Sequence, residues 1–210
     1  MKKIILLLVV LVLFSCQNKE VLLPKANQTI VADVQNHSPI YFFFKLEKED
    51  TLVEVNQKNR ISTTNWLFNI DKRLPLRKVV LEVKKLQVKK ETSLHKSESS
   101  ENYFTYMNDV SKTMAFMPFS NIKYKVEVAD SNVLQIYFDR NDLVRIGDEV
   151  FSKNDLQNFI DKWSINQQKR VVFSFDKMMS FEQYVQDKIF ISNLKLNSFS
   201  FNSNHIEYIY

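Results

Sequence analysis

Few residues in this chain could carry chemistry. Cys16 is the only cysteine and Gly147 the only glycine among 210 residues, and the three histidines, His37, His95 and His205, stand far apart. Phosphate loops, dinucleotide fingerprints and nucleophile elbows all need several glycines for tight turns and close backbone approach, so a single glycine excludes them. No HExxH or i,i+4 histidine pair occurs, and a histidine zinc site would have to be gathered from distant loops. No serine stands in an activating Ser/His/Asp context. Carboxylates do cluster, at Glu47/Glu49/Asp50, Asp139/Asp142 and Asp148/Glu149. Each cluster falls in an expected turn between strands, where acidic residues solubilise the surface rather than move protons. Asp176, at a strand end ahead of a helix, reads as a cap. The expectation is a non-enzymatic protein without metal or cofactor.

The remaining reactive group is Cys16, and its context is specific. Lys2 and Lys3 precede an apolar run from Ile4 to Phe14. That run is too short for a helix of roughly 20 residues across a bilayer, but right for the core of a secretory signal. The tetrapeptide that closes it, Leu13-Phe14-Ser15-Cys16, resembles the bacterial lipobox. The resemblance implies cleavage before Cys16, diacylation of its sulfur and acylation of the new N-terminus. Residues 1–15 are then a signal peptide, residues 16–39 a lipid anchor and tether, and the membrane is a partner through that lipid. Gln17 rather than Asp after the cysteine implies sorting to the outer membrane of a bacterial envelope, and it leaves the leaflet open. Lipidation consumes the thiol, so the mature chain has no disulfide and its core alone must hold it.

Apolar residues make up 45% and aromatic residues 13% of the chain, enough to close such a core. The net charge of +5 becomes +3 when Lys2 and Lys3 leave with the signal, too small an excess to argue for nucleic acid. One stretch departs from this balance: Lys72 to Lys96 holds nine basic residues and two acidic ones. Lys84, Lys85, Lys89 and Lys90 are its candidates for contact with an anionic surface, against the plainer reading of a solvated face.

Tyr41–Phe44 and Leu52–Val55 read as two strands around a charged turn, as do Leu134–Phe138 and Leu143–Ile146. Each pair leads to a serine placed as a helix N-cap, Ser62 or Ser152. From those caps STTNWLFNIDK (Ser62–Lys72) lies over SKNDLQNFIDK (Ser152–Lys162). Trp66 and Ile70, or Leu156 and Ile160, then share a helix face four apart. A strand follows each helix, Lys78–Val83 or Arg170–Phe175. A second helix matches Tyr106 and Asp109 to Tyr184 and Asp187, and Tyr124–Val128 or Ile206–Tyr210 closes each half. The expected fold is α+β: two related β-β-α-β-α-β units, residues 40–128 and 133–210, each a small mixed sheet with two helices on one face.

The second unit is similar to the periplasmic domain of the ExbD/TolR family. The segments that carry the likeness are Val144-Arg145-Ile146-Gly147-Asp148-Glu149-Val150, the helix from Ser152, Val171–Asp176, the helix from Ser180 and Ile206–Tyr210. The family also has a transmembrane helix whose aspartate takes part in proton coupling, whereas Ile4–Phe14 is short and holds no acidic residue. The resemblance therefore implies the domain's pairing and envelope-binding behaviour without its motor role, and a tandem copy would supply the dimer within one chain. Expected partners are an envelope protein or a second copy, engaged through exposed sheet edges such as Ile206–Tyr210. The alternatives are attachment to cell wall or anionic lipid through the lysines above, and an accessory role in an energy-coupled envelope transport system. Nucleic acid is not expected.

Overall fold

Residues 19–95, 97–130, 133–162, 170–195 and 205–210 are described by a computed structural model. Cys16 and the signal segment lie outside them. The fold is α+β, with two mixed six-stranded sheets.

The first sheet grows from a hairpin. β1 is Lys25–Ala26, β2 His37–Glu47, β3 Asp50–Asn56 and β4 Asn65–Ile70. Helix α1, Leu76–Glu91, leads into β5, Asn102–Asn108, and β6, Met114–Pro118. β2 pairs antiparallel with β3 and parallel with β4, and β4 runs parallel to β5. Ile40 and Phe42 of β2, and Trp66, Phe68 and Ile70 of β4, alternate onto the face that α1 covers with Leu76, Val79, Val80, Val83 and Leu86. On the opposite face Leu67 joins Val34 and Phe116 in a smaller cluster.

The second sheet contains β7, Ile122–Lys125; β8, Val133–Phe138; β9, Leu143–Ile146; and β10, Glu149–Ser152. Helix α2, Lys153–Lys162, precedes β11, Arg170–Phe175, then α3, Phe181–Ser192, and β12, His205–Ile209. The strand order is β10-β9-β8-β11-β12-β7. Here the expected order holds in full, with β10 added after Gly147, whose φ of +61° is the left-handed conformation that glycine adopts without strain.

The first unit departs from expectation at four of its expected elements, and β6 is an added strand. Residues Ser62–Lys72 are not a helix but contain β4; a spacing of four, Trp66 to Ile70, satisfies a period of two as well as 3.6, and Phe68 between them settles it. Lys78–Val83 is not a strand but the middle of α1. Its buried positions Leu76, Val79, Val80, Val83 and Leu86 recur at helical spacing, and this period overrides the β-branched valines. The region of Tyr106 and Asp109 is β5 and the turn after it, so this unit has one helix rather than two. Finally, the strand expected to close the first unit is β7, and it pairs parallel with β12 of the second sheet.

The duplication survives, in another register. β3-β2-β4-β5 and β9-β8-β11-β12 share order and strand sense. The counterpart of Asn65–Leu76 is Arg170–Phe181, 105 positions on, not the helix at Ser152. Asp71 N–H donates to Phe42 O (3.0 Å) and Asp176 N–H to Phe138 O (2.9 Å). Each aspartate also accepts the N–H two residues ahead, Arg73 (3.1 Å) or Met178 (2.7 Å), closing an Asx turn into the helix. The two turns then meet. Leu76 N–H donates to Met179 O and Phe181 N–H to Leu74 O, both at 2.9 Å, around the antiparallel bridge between Pro75 and Ser180. Arg77 N–H to Lys177 O (3.0 Å) and Glu182 N–H to Lys72 O (3.1 Å) repeat the reciprocity. Equivalent residues thus exchange equivalent bonds, the signature of a two-fold relation held within one chain.

Candidate functional site

All four candidate lysines lie on α1, and the structure separates them. Lys85 and Lys89 are exposed and Lys84 is half-buried. Lys90 is a correction: it is buried, and its ammonium donates to Glu101 O (3.0 Å) and Asn102 Oδ1 (3.1 Å) while lying 5.0 Å from the Trp66 ring centroid. Burial lowers its pKa to about 8. It pins the end of α1 to β5 and offers nothing to an external anion.

Much of the remaining basic stretch is neutralised internally. Lys72 pairs with Glu182 (3.2 Å), Arg73 with Asp71 (2.8 Å) and Lys85 with Glu82 (2.7 Å), and Lys78 reaches Asp50. Arg77, Lys84 and Lys89 have no carboxylate partner among the described residues. They share the outer side of α1 with Leu81, 41% exposed, and Val88, 57% exposed, forming a narrow strip of cations and aliphatics. Such a strip suits the boundary between headgroups and acyl chains. Among the described residues no helix is long and apolar enough to cross a membrane.

Sheet edges are the second candidate surface, and here too one expectation changes. The C-terminal strand is not an edge, because β12 lies between β11 and β7. The open edges among the described residues include β3, at one end of the first sheet, and β10, at one end of the second. β3 is the longer, at seven residues, with Leu52, Glu54 and Asn56 exposed. Thr51 O accepts a bond from Lys78 Nζ on the open side of the strand. Val53, two residues on, therefore turns its N–H and C=O the same way, as alternate residues of an antiparallel strand do.

Two buried charge networks brace the second unit. Tyr184 donates to Glu207 Oε2 (2.7 Å), Lys188 holds the other carboxylate oxygen, and Tyr124 lies 3.2 Å from the Tyr184 hydroxyl. This joins β7, α3 and β12 and raises the Tyr184 pKa well above its usual value, through burial first and the Glu207 charge second. Between Tyr184 and Lys188 on α3, Asp187 is fully buried and ion-paired with Lys153, which also holds Asp142. Burial raises the Asp187 carboxyl to about 6 despite the pull of Lys153.

That shift predicts a pH signature. Between about pH 4 and 6 the folded chain keeps a proton that the unfolded chain has released. Stability contributed by Asp187 is therefore greatest below pH 4 and falls by roughly 3 kcal/mol as pH rises past 6. Urea midpoints measured from pH 4 to 7 should show this slope in the wild type and lack it in Asp187→Asn; parallel curves would contradict the assignment.

His37 Nδ1 bonds Val34 O at 2.7 Å, and His95 and His205 are exposed in separate parts of the fold. Sequence reasoning expected exposed sheet edges but did not single out β3 as one of them. Alternation in Leu52–Asn56 marks a half-buried strand but does not say whether a neighbour covers it. Comparison with protein-family models, curated proteins and solved structures finds no match to this chain.

Proposed function

We propose that this chain is a lipid-anchored, non-enzymatic protein of the bacterial envelope, whose two units form a built-in pair that offers open strand edges to another envelope protein or to a second copy. The observation that carries this reading is the β3 edge, a seven-residue strand whose outer side no described strand pairs. Unpaired N–H and C=O groups in a row are a template for strand addition. The reciprocal join at Pro75 and Ser180 supports the idea that one chain supplies what an ExbD/TolR-like domain would otherwise obtain by dimerising. An accessory place in an energy-coupled envelope transport system fits the same architecture.

The anchor is tested by metabolic labelling with an alkyne fatty acid. Wild-type protein should be labelled and Cys16→Ala should not; an unlabelled wild type would remove the lipid from the account. For the edge, photo-crosslinkers placed at Leu52 and Glu54 in intact envelopes should give one discrete adduct. Val53→Pro removes an outward N–H without touching the β2 ladder and should abolish the adduct, while Val53→Thr, which keeps the N–H, should retain it. Adducts that persist in Val53→Pro would overturn the edge reading.

A second reading rests on the exposed Leu81 and Val88 among Arg77, Lys84, Lys85 and Lys89, which favours contact with anionic lipid or cell wall. Such binding weakens with salt over a screening length of ~10 Å at about 0.1 M. Co-sedimentation with sacculi or anionic vesicles that is unchanged by salt, or by neutralising Lys84, Lys85 and Lys89, rejects it.

A further inference from the structure

On the sheet faces away from the helices the two units carry hollows in equivalent places. The second-unit hollow has a volume of about 490 Å³ and is lined by Gln135, Tyr137, Arg145, Gly147 and Tyr210 among others. The first-unit hollow, about 480 Å³, is lined by Tyr41, Phe43, Asn56, Asn69 and the chain from Lys19 to Leu23. Both volumes fall in the range of small-molecule sites, roughly 300–1,000 Å³.

The correspondence is positional. Tyr41 pairs with Asn56 across the first hairpin, and Tyr137 with Arg145 across the second. On the next strand Asn69 lies beside Tyr41, and Ser174 beside Tyr137. The far wall is built the same way in each: Lys72 N–H donates to Leu22 O (2.8 Å), and its counterpart Lys177 N–H donates to Tyr210 O (3.1 Å). A hollow repeated in the same place but lined by different side chains is a feature of the unit, not an accident of one surface.

The second hollow has the more distinctive chemistry. Tyr137 and Tyr210 lie 5.1 Å apart with their rings inclined at 39°, and Gln135 donates to the Tyr210 hydroxyl. Arg145, 54% exposed in its side chain, bonds Asp139 through a single nitrogen at 3.3 Å. A guanidinium has five N–H donors in a fork suited to carboxylate, so most of its capacity is unused by Asp139. In the same strand layer, Ser174 and Tyr208 are buried with hydroxyls that have no hydrogen-bond partner among the described residues. Burial pushes the Tyr137 hydroxyl up to about 12, so at neutral pH it remains an uncharged donor.

We propose that the second-unit hollow binds a carboxylated sugar ring, with the flat face of the pyranose against Tyr137 and Tyr210 and the carboxylate held by Arg145. Aromatic rings supply an apolar platform with a polar handle, Gln135 and the tyrosine hydroxyls meet ring hydroxyls, and the guanidinium selects the acid over a neutral sugar. The first hollow has Asn56 where Arg145 stands, and Lys19, the cation that lines it, is ion-paired with Glu54. The site is independent of the β3 edge.

The test is a titration of the full chain, followed by NMR, with a galacturonate trimer and with the neutral galactose trimer. Saturable binding of the uronate is expected, with the neutral trimer and the Arg145→Ala variant each about tenfold weaker or more. Arg145→Lys keeps the charge but not the fork and should lose most of the affinity with its melting curve unchanged. Tyr137→Phe should keep the platform and bind within about threefold of wild type, and Asn56→Ala should bind as wild type does. No saturable uronate binding, equal affinity for the neutral trimer, full affinity in both Arg145 variants, or loss in Asn56→Ala would each overturn the assignment.

Discussion

Replacing Phe104 with alanine is expected to cost about 3–5 kcal/mol and to unfold both units in one transition. Phe104 belongs to β5 of the first sheet and is 1% exposed. It stacks on Phe119 at 3.8 Å, meets Phe68 at 6.3 Å, and reaches into the second unit to pack edge-on against Phe181 (5.2 Å) and Tyr184 (6.2 Å) of α3. Truncation leaves a cavity that these rings cannot close, and it removes pairings worth up to about 1.5 kcal/mol each. Against a total stability of about 5–15 kcal/mol, the loss is a third or more. The main core cluster spans residues of both units, so the units should melt together. Calorimetry of Phe104→Ala should show one shifted peak. A second peak remaining at the wild-type temperature would mean two independently stable domains and would contradict the shared core.

The second unit was legible in sequence almost element by element, because its strands and helices have different periods, although Ser152 closes β10 and its hydroxyl donates to Asp155 instead of capping α2. Ser180 does cap α3, accepting from Gln183 N–H at 3.2 Å. Both hairpins and the existence of a repeat were legible too. The register of the repeat was not. Ile70-Asp71-Lys72 resembles two later segments, Ile160-Asp161-Lys162 and Phe175-Asp176-Lys177, and identity favours the wrong one. Asp161 is an exposed residue in the last turn of α2, whereas Asp71 and Asp176 both close turns between a strand and a helix. Their shared role is a hydrogen bond, which letter matching does not weigh.

Among the candidate site residues, the exposed positions of Lys85 and Lys89 follow from the helix period once α1 is known to be a helix. Lys90 falls on the buried face by the same period, four residues after Leu86 and seven after Val83, and what the period does not show is its partner: its ammonium lies over Trp66 and finds Asn102 on β5, a contact set by tertiary placement. The exposed β3 edge depends on which strand ends the sheet, information that no local pattern holds.

The built-in pair depends on the two-fold join between the units, and a single engineered crosslink tests it. Pro75 and Ser180 face each other as a non-hydrogen-bonded antiparallel pair, flanked by the bonds from Leu76 to Met179 and from Phe181 to Leu74. Such pairs place their Cα atoms about 4.5 Å apart, inside the disulfide range of roughly 4.4–6.8 Å. In a Cys16→Ser background, Pro75→Cys with Ser180→Cys should oxidise readily within one chain. Closing a loop of this length should stabilise the oxidised form by about 5 kcal/mol over the reduced form, less any strain. The measurement is the difference in unfolding midpoint between the two forms. An intramolecular disulfide with a clearly raised midpoint is the predicted result; folded protein whose two thiols stay free, or crosslink only between chains, would contradict the join and with it the built-in pair.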